Sequence, residues 1–176
     1  AVLLHLGYEK KEIARRILLL EAVAMRLEVK DGTRNCLIIN DSYNSDLNSL
    51  GIALDFLNQQ ATAKSLSRTL ILSDILQSGQ SADELYKTVS DLVANKNIQR
   101  IIGIGTEISR QSENFSAINT SFFDDTESFL KSPLIHEFHD EIILLKGSRK
   151  FHFEDISAKL ELIAHETTLE VNLNAL

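Results

Sequence analysis

Two short stretches of this sequence carry side chains able to do chemistry. The first is Asp41-Ser42-Tyr43-Asn44, where the apolar run over residues 36–39 stops at Asn40. A carboxylate there is a hydrogen-bond acceptor and suits sugar hydroxyls. Tyr43 offers a flat face for a base, and Asn44 pairs a donor with an acceptor, as an adenine edge requires. The plainer alternative is a strand-to-helix loop in which Asp41 and Asn44 satisfy backbone groups. The second stretch is Lys146-Gly147-Ser148-Arg149. Here a strand ends on a cation, Gly147 permits close backbone approach, and Ser148 and Arg149 precede the last long helix. Two cations beside a helix N-terminus suit a carboxylate or a phosphate; a solvated basic turn is the alternative.

Other candidates carry less. His136, His139, Asp140 and Glu141 have metal-ligand spacing, but they adjoin Pro133 in a polar loop and read as a solvated face. His5, His152 and His165 are isolated. Cys36 is the one cysteine, which excludes an intrachain disulfide and reads as a small buried hydrophobe in a reducing compartment. No two of the seven glycines have the spacing of a Walker A loop, and the pair Gly103 and Gly105 meets Ile108 where a dinucleotide fingerprint needs a third glycine. By itself, this chain is not expected to bind and activate a nucleoside triphosphate.

The elements that must position these groups alternate. With 176 residues, 44% hydrophobic and 24% charged, the composition is that of one globular domain with a piece of another. A net charge of −7 argues against nucleic acid or an anionic membrane as main partner. The opening "AVLLHLGYEKK" lacks a signal peptide's basic start, and no apolar run is long enough to span a bilayer. Both ends look cut from a longer polypeptide. Ile13, Ile17 and Leu20 mark a helix over 8–20, "AMRLEV" (24–29) alternates like a strand, and Asp31-Gly32 signals a turn. After the strand at 36–39, Leu47, Leu50, Leu54 and Leu57 line one helix face behind an Asp46 cap. Further strands read at 68–73, 98–105, 118–123 and 141–146. Between them lie a helix opened by a Ser81/Glu84 capping box and a short helix over 126–131. Phe153, Ile156, Leu160 and Ile163 repeat at helical spacing. Short apolar strands alternating with helices predict an α/β fold, whose ligands sit at the carboxyl ends of the strands.

In this order and at this separation, the two stretches resemble the C-terminal domain of the Mur ligase family, in its branch that adds a D-alanyl-D-alanine dipeptide. Arg26-Leu27-Glu28 matches the family's Arg-x-Glu strand, Asp41–Asn44 its "DSYN" loop and Lys146–Arg149 its "KGSR" turn. "LSDILQSG" (72–79) stands in place of "GDMxELG", keeping Asp74 and Gly79 but with Ser73 for Gly and Gln77 for Glu. The resemblance implies a Rossmann-like, mostly parallel sheet of five to six strands flanked by helices. It implies ATP contacts from Arg26 and Asp41, the latter through ribose hydroxyls, with Tyr43 and Asn44 beside the nucleotide. Lys146, Ser148 and Arg149 would face the dipeptide or the reacting phosphate, with Asp74 on the substrate side. The family's P-loop, magnesium ligands and acyl-phosphate chemistry belong to its central domain. Neither a catalytic residue nor a metal ligand is therefore expected here, and the fragment alone should be inactive.

Residues 1–24 read as the last helix of that central domain, 25–164 as the C-terminal domain, and 165–176 as a second stub. "TTLEVNLNAL" (167–176) is similar to the opening strand of fold-type III alanine racemases, whose pyridoxal phosphate lysine would follow Leu176. The implied partners are UDP-N-acetylmuramoyl-tripeptide, D-alanyl-D-alanine and the central domain in cis, in the cytoplasm. Rival readings are a non-enzymatic α/β binding module and another Mur or folylpolyglutamate-type ligase.

Overall fold

The computed structural model describes residues 2–17, 26–76, 78–116 and 119–162. Val2–His5 (α1) and Lys10–Ile17 (α2) are helical, the second inside the helix expected over 8–20. Six strands follow: β1 (Glu28–Asp31), β2 (Leu37–Asp41), β3 (Ser67–Ser73), β4 (Arg100–Ile104), β5 (Asn119–Phe123) and β6 (Glu141–Lys146). They form one sheet in the order β1-β2-β6-β3-β4-β5, β1 antiparallel to β2 and every other pair parallel. The chain thus adopts the expected mostly parallel α/β architecture.

Strand alternation decides which helix covers which face, because successive side chains point to opposite sides of a sheet. Leu37, Ile39, Leu70, Leu72, Ile142 and Leu144 pack with apolar residues of α3 (Leu47–Lys64) and α4 (Ala82–Ala94). Ile38, Ile71, Ile143 and Leu145 pack on the other side, with Phe129 of α6 (Thr126–Lys131) and Ile156 and Leu160 of α7 (Phe153–Leu160). Covering both faces is why the strands read as unbroken apolar runs. The remaining elements, α5 (Thr106–Arg110) and 3-10 turns at Ser112–Phe115, Pro133–His136 and Arg149–Phe151, are too short to leave a periodic pattern.

Both expected caps form. Asp46 Oδ1 accepts from Ser49 N at 2.9 Å while Ser49 Oγ accepts from Asp46 N, a reciprocal box at the start of α3. Ser81 Oγ accepts from Glu84 N at 3.4 Å and donates to Glu84 Oε2 at 2.9 Å, so Ser81 caps α4 while Glu84 binds the hydroxyl in place of the Ser81 amide that the expected box would use.

Three local expectations are corrected. Of the strand expected over 24–29, the described residues Arg26 and Leu27 lie outside β1, which opens at Glu28. Glu28 pairs with Asn40, and Leu27, which would face Asp41 in the same register, turns away at φ 49°. The turn expected at Asp31-Gly32 comes later: Asp31 still pairs with Leu37, and Arg34 and Asn35 take the positive φ values. Glu141 is not solvated like the exposed His136, His139 and Asp140. It opens β6, between β2 and β3, and is buried with Thr69 Oγ donating to it and Arg100 at 3.4 Å.

The boundaries expected near 24 and 165, Gln77, Ile163, His165 and the tail 165–176 lie outside the described residues. Among the described residues no helix is long and apolar enough to cross a membrane, and no three His, Cys, Asp or Glu side chains are placed to hold a metal.

Candidate functional site

Strands β2 and β6 are parallel neighbours, with Asp41 opposite Lys146. The parity that points Ile39 and Leu144 toward α3 points Asp41 and Lys146 to the same side, one step past the apolar ladder. Their side chains meet. Lys146 Nζ lies 2.9 Å from Asp41 Oδ2 and donates to the Asn44 carbonyl at 2.6 Å. The Lys146 side chain is 1% exposed and that of Asp41 14%, so the ammonium is enclosed while a carboxylate edge stays accessible. Lys146 bolts the 41–44 loop to the centre of the sheet.

Asn40 points the opposite way, toward α7. Its Nδ2 donates to Ser157 Oγ at 3.3 Å and its Oδ1 accepts from Ser42 Oγ at 2.6 Å. The polar end of this apolar strand is therefore tied down on both faces of the sheet. Asn44 is exposed, its Nδ2 donating to Asp46 Oδ2 at 3.4 Å.

Tyr43 is half-buried, and two guanidiniums lie over its ring. Arg149 Cζ is 4.0 Å from the ring centroid and Arg26 Cζ 4.5 Å. Arg26 arrives from the segment before β1, and Arg149 from the 3-10 turn Arg149–Phe151 after β6. Arg26, Asp41, Tyr43, Asn44 and Lys146 line one cavity of about 310 Å³, walled also by Ile52 of α3.

The other expected residues lie further along the same edge. Ser148 N donates to Ser73 Oγ at 3.2 Å, so the serine standing where the Mur pattern has glycine anchors this turn. Ser148 Oγ is buried with no hydrogen-bond partner among the described groups. Gly147 makes room for packing: a Cβ there would come within 2.8 Å of the Phe153 ring. Asp74, just past β3, is 6% exposed and accepts from the backbone N–H of Ile108 at 2.8 Å and of Glu107 at 3.3 Å, in the first turn of α5. Burial pushes its carboxyl above the ordinary aspartate value, against those two bonds. Gly105, at φ +139°, is required beneath it, since a Cβ would come within 2.3 Å of the carboxylate. In dinucleotide-binding loops a phosphate sits on such a helix start. Here the protein's own carboxylate does.

A larger cavity of about 600 Å³ opens beyond β3, lined by Asp74, Thr106, Asp125, Thr126, Lys150 and Asp155 among others. Two of its carboxylates are already engaged, Asp74 on α5 and Asp125 on Ser128 N of α6 at 2.8 Å. The smaller cavity is the stronger candidate, because it holds the Arg26 guanidinium and a partly open carboxylate. Neither the meeting of Arg149 with Tyr43 nor the Ser73–Ser148 bond has any signal in the sequence.

No protein-family profile matches the chain. It is 26% identical over 143 residues to the UDP-N-acetylmuramoyl-tripeptide–D-alanyl-D-alanine ligase of Escherichia coli K12, covering 81% of this chain and 30% of that protein. The Bacillus subtilis 168 ligase of the same name is 23% identical over 156 residues, covering 86% and 34%. The chain thus spans about a third of the length of these curated relatives. Among solved structures, MurF from Acinetobacter baumannii superposes with a TM-score of 0.73 at 24% identity, covering 89% of this chain and 35% of that one. MurF from Thermotoga maritima in complex with ADP gives 0.58 at 16%, covering 80% and 31%. The fold is that of these MurF structures, and the resemblance to Mur ligases holds in both sequence and fold.

Proposed function

We propose that this chain is the C-terminal domain of an ATP-dependent ligase that joins D-alanyl-D-alanine to UDP-N-acetylmuramoyl-tripeptide in cell-wall synthesis. The observation that carries this is the convergence of Arg26, Asp41, Tyr43 and Asn44 on one cavity at the carboxyl ends of β2 and β6, in a chain similar to ligases of that name. Open α/β sheets bind ligands at that edge.

The residues present fit a nucleotide. Asp41 keeps an open carboxylate edge for a ribose diol, and the guanidiniums of Arg26, in the same cavity, and of Arg149, on the Tyr43 ring, are donors for phosphate oxygens. At about 310 Å³ the cavity would enclose only part of a nucleotide, so a central domain would supply the facing wall. Bound ATP, with magnesium, supplies the phosphoryl group that activates the tripeptide carboxylate. What this chain adds is orientation and exclusion of water on closure, with Lys146 fixing the loop, Arg149 and Ser148 toward the dipeptide or phosphate, and Asp74 holding the neighbouring edge. Alone it would be inactive. In the same reading the protein is cytoplasmic, residues 1–24 close the central domain, and 165–176 begin a fused alanine racemase whose pyridoxal phosphate site lies further on.

The test is ligation by the full-length polypeptide with tripeptide, ATP and the dipeptide. Product formation that falls at least about tenfold in a folded Asp41→Ala variant, with a raised KM for ATP, is the expected result. No ligation by the wild type overturns the function. An unchanged ATP dependence in Asp41→Ala overturns the nucleotide site.

A further inference from the structure

The chain has eight arginines, and six of them hydrogen-bond to a carboxylate, carbonyl or hydroxyl oxygen. The two without such a bond among the described residues are Arg26 and Arg149. They come from opposite ends of the domain sequence, yet both lie within 4.5 Å of the centroid of one ring, that of Tyr43. Gathering two like charges on one exposed surface is unfavourable unless something offsets it. The ring offsets part, through attraction of each cation to the aromatic face.

Neither carboxylate of the cavity lining is bonded to a guanidinium. Asp41 is matched by Lys146, and Asp46 is taken up by the start of α3. Arg26 is thus the one cation lining the cavity that lacks a carboxylate partner among the described residues, and Arg149 joins it at the Tyr43 ring. A guanidinium over an aromatic ring uses its face on the ring and keeps in-plane N–H donors for an oxyanion. One guanidinium already saturates the two oxygens of a carboxylate; two of them, approaching from different segments, match a phosphate group with three or more oxygens.

We infer that Tyr43 is a positioning residue whose ring gathers Arg26 and Arg149 into a two-guanidinium receptor for a phosphate group, instead of stacking a nucleotide base. This rests on the nucleotide reading above and assigns Tyr43 a different part in it.

The test is a titration of the chain with inorganic tripolyphosphate, ATP and adenosine, following the arginine Nε–Hε resonances by NMR. Tripolyphosphate and ATP should shift Arg26 and Arg149 together with one midpoint, and adenosine should shift neither. Tyr43→Leu should raise the tripolyphosphate midpoint about tenfold while the backbone amide spectrum stays native. Tyr43→Phe keeps the ring and should stay within about twofold of wild type. Arg149→Gln should weaken the response at Arg26 as well, which covers the case of an unfolded leucine variant. Adenosine shifting these groups, with Tyr43→Leu weakening adenosine and ATP equally, would overturn the inference in favour of a base platform. So would a leucine variant that binds tripolyphosphate like wild type, or arginines that respond to no anion. Tripolyphosphate binding as tightly as ATP would leave the receptor standing and remove the nucleotide reading.

Discussion

Asp41 and Asp74 are two aspartates at the carboxyl edge of one sheet, and they have opposite fates. Asp41 meets a buried lysine from the neighbouring strand and keeps one edge open to a cavity. Asp74 folds onto the first turn of α5, under Gly105, and its carboxyl is pushed upward by burial. Position at the strand end therefore does not by itself decide whether a carboxylate stays accessible. What the next element offers decides it: a loop tied to a lysine leaves a carboxylate available, whereas a helix start beside it consumes one.

The contrast is most exposed at Lys146. Lys146→Met leaves Asp41 and the Asn44 carbonyl without their cation, and stability in denaturant titrations should fall by about 3–5 kcal/mol. Adding Asp41→Asn should restore part of that loss if the two side chains act as a pair. On the other half of the edge, Gly105→Ala drives a Cβ into the Asp74 carboxylate and strains a left-handed φ. It should cost about 1–3 kcal/mol while leaving ligand binding at the Asp41 cavity intact. Lost binding there would show that the two halves are coupled.

Smaller effects separate carboxylates by sign. The Asp46 carboxyl is held below its ordinary value by the Ser49 amide. Its contribution is present above the unfolded aspartate pKa of about 3.9 and is lost as pH falls through the lower folded value. Asp46→Ala should cost about 1 kcal/mol at neutral pH and flatten the acid limb of the stability curve. Asp74 runs the other way: with its folded pKa raised, its contribution is greatest below about pH 3.9 and is lost as pH rises through the folded value. Asp74→Asn keeps an acceptor for Ile108 N. Thermal unfolding against pH should show it gaining on wild type as pH rises from 4 to 7, by less than about 1 kcal/mol. A stability loss that grows with pH would mean that the ionised carboxylate is needed on α5.

Much of this fold was legible in the chain because its signals are local. Apolar runs bounded by turns mark buried strands. Asp46 and Ser81 announce helix starts through bonds to residues three positions away. Glu141 misled because a lone acidic residue at the edge of a polar loop looks solvated, and only its place between β2 and β3 buries it. The late start of β1 was hidden too, because the positive φ at Leu27 that ends the pairing is not announced by a leucine.

By itself the sequence determined the strand and helix composition, the caps, and the two polar stretches that end β2 and β6, all of which depend on residues close together in the chain. The tertiary structure alone decided that β6 inserts between β2 and β3, and with it that Lys146 meets Asp41 and that Arg149 joins Arg26 on Tyr43. Contacts between segments more than a hundred residues apart follow from strand order and register, which long-range packing selects and no local pattern encodes.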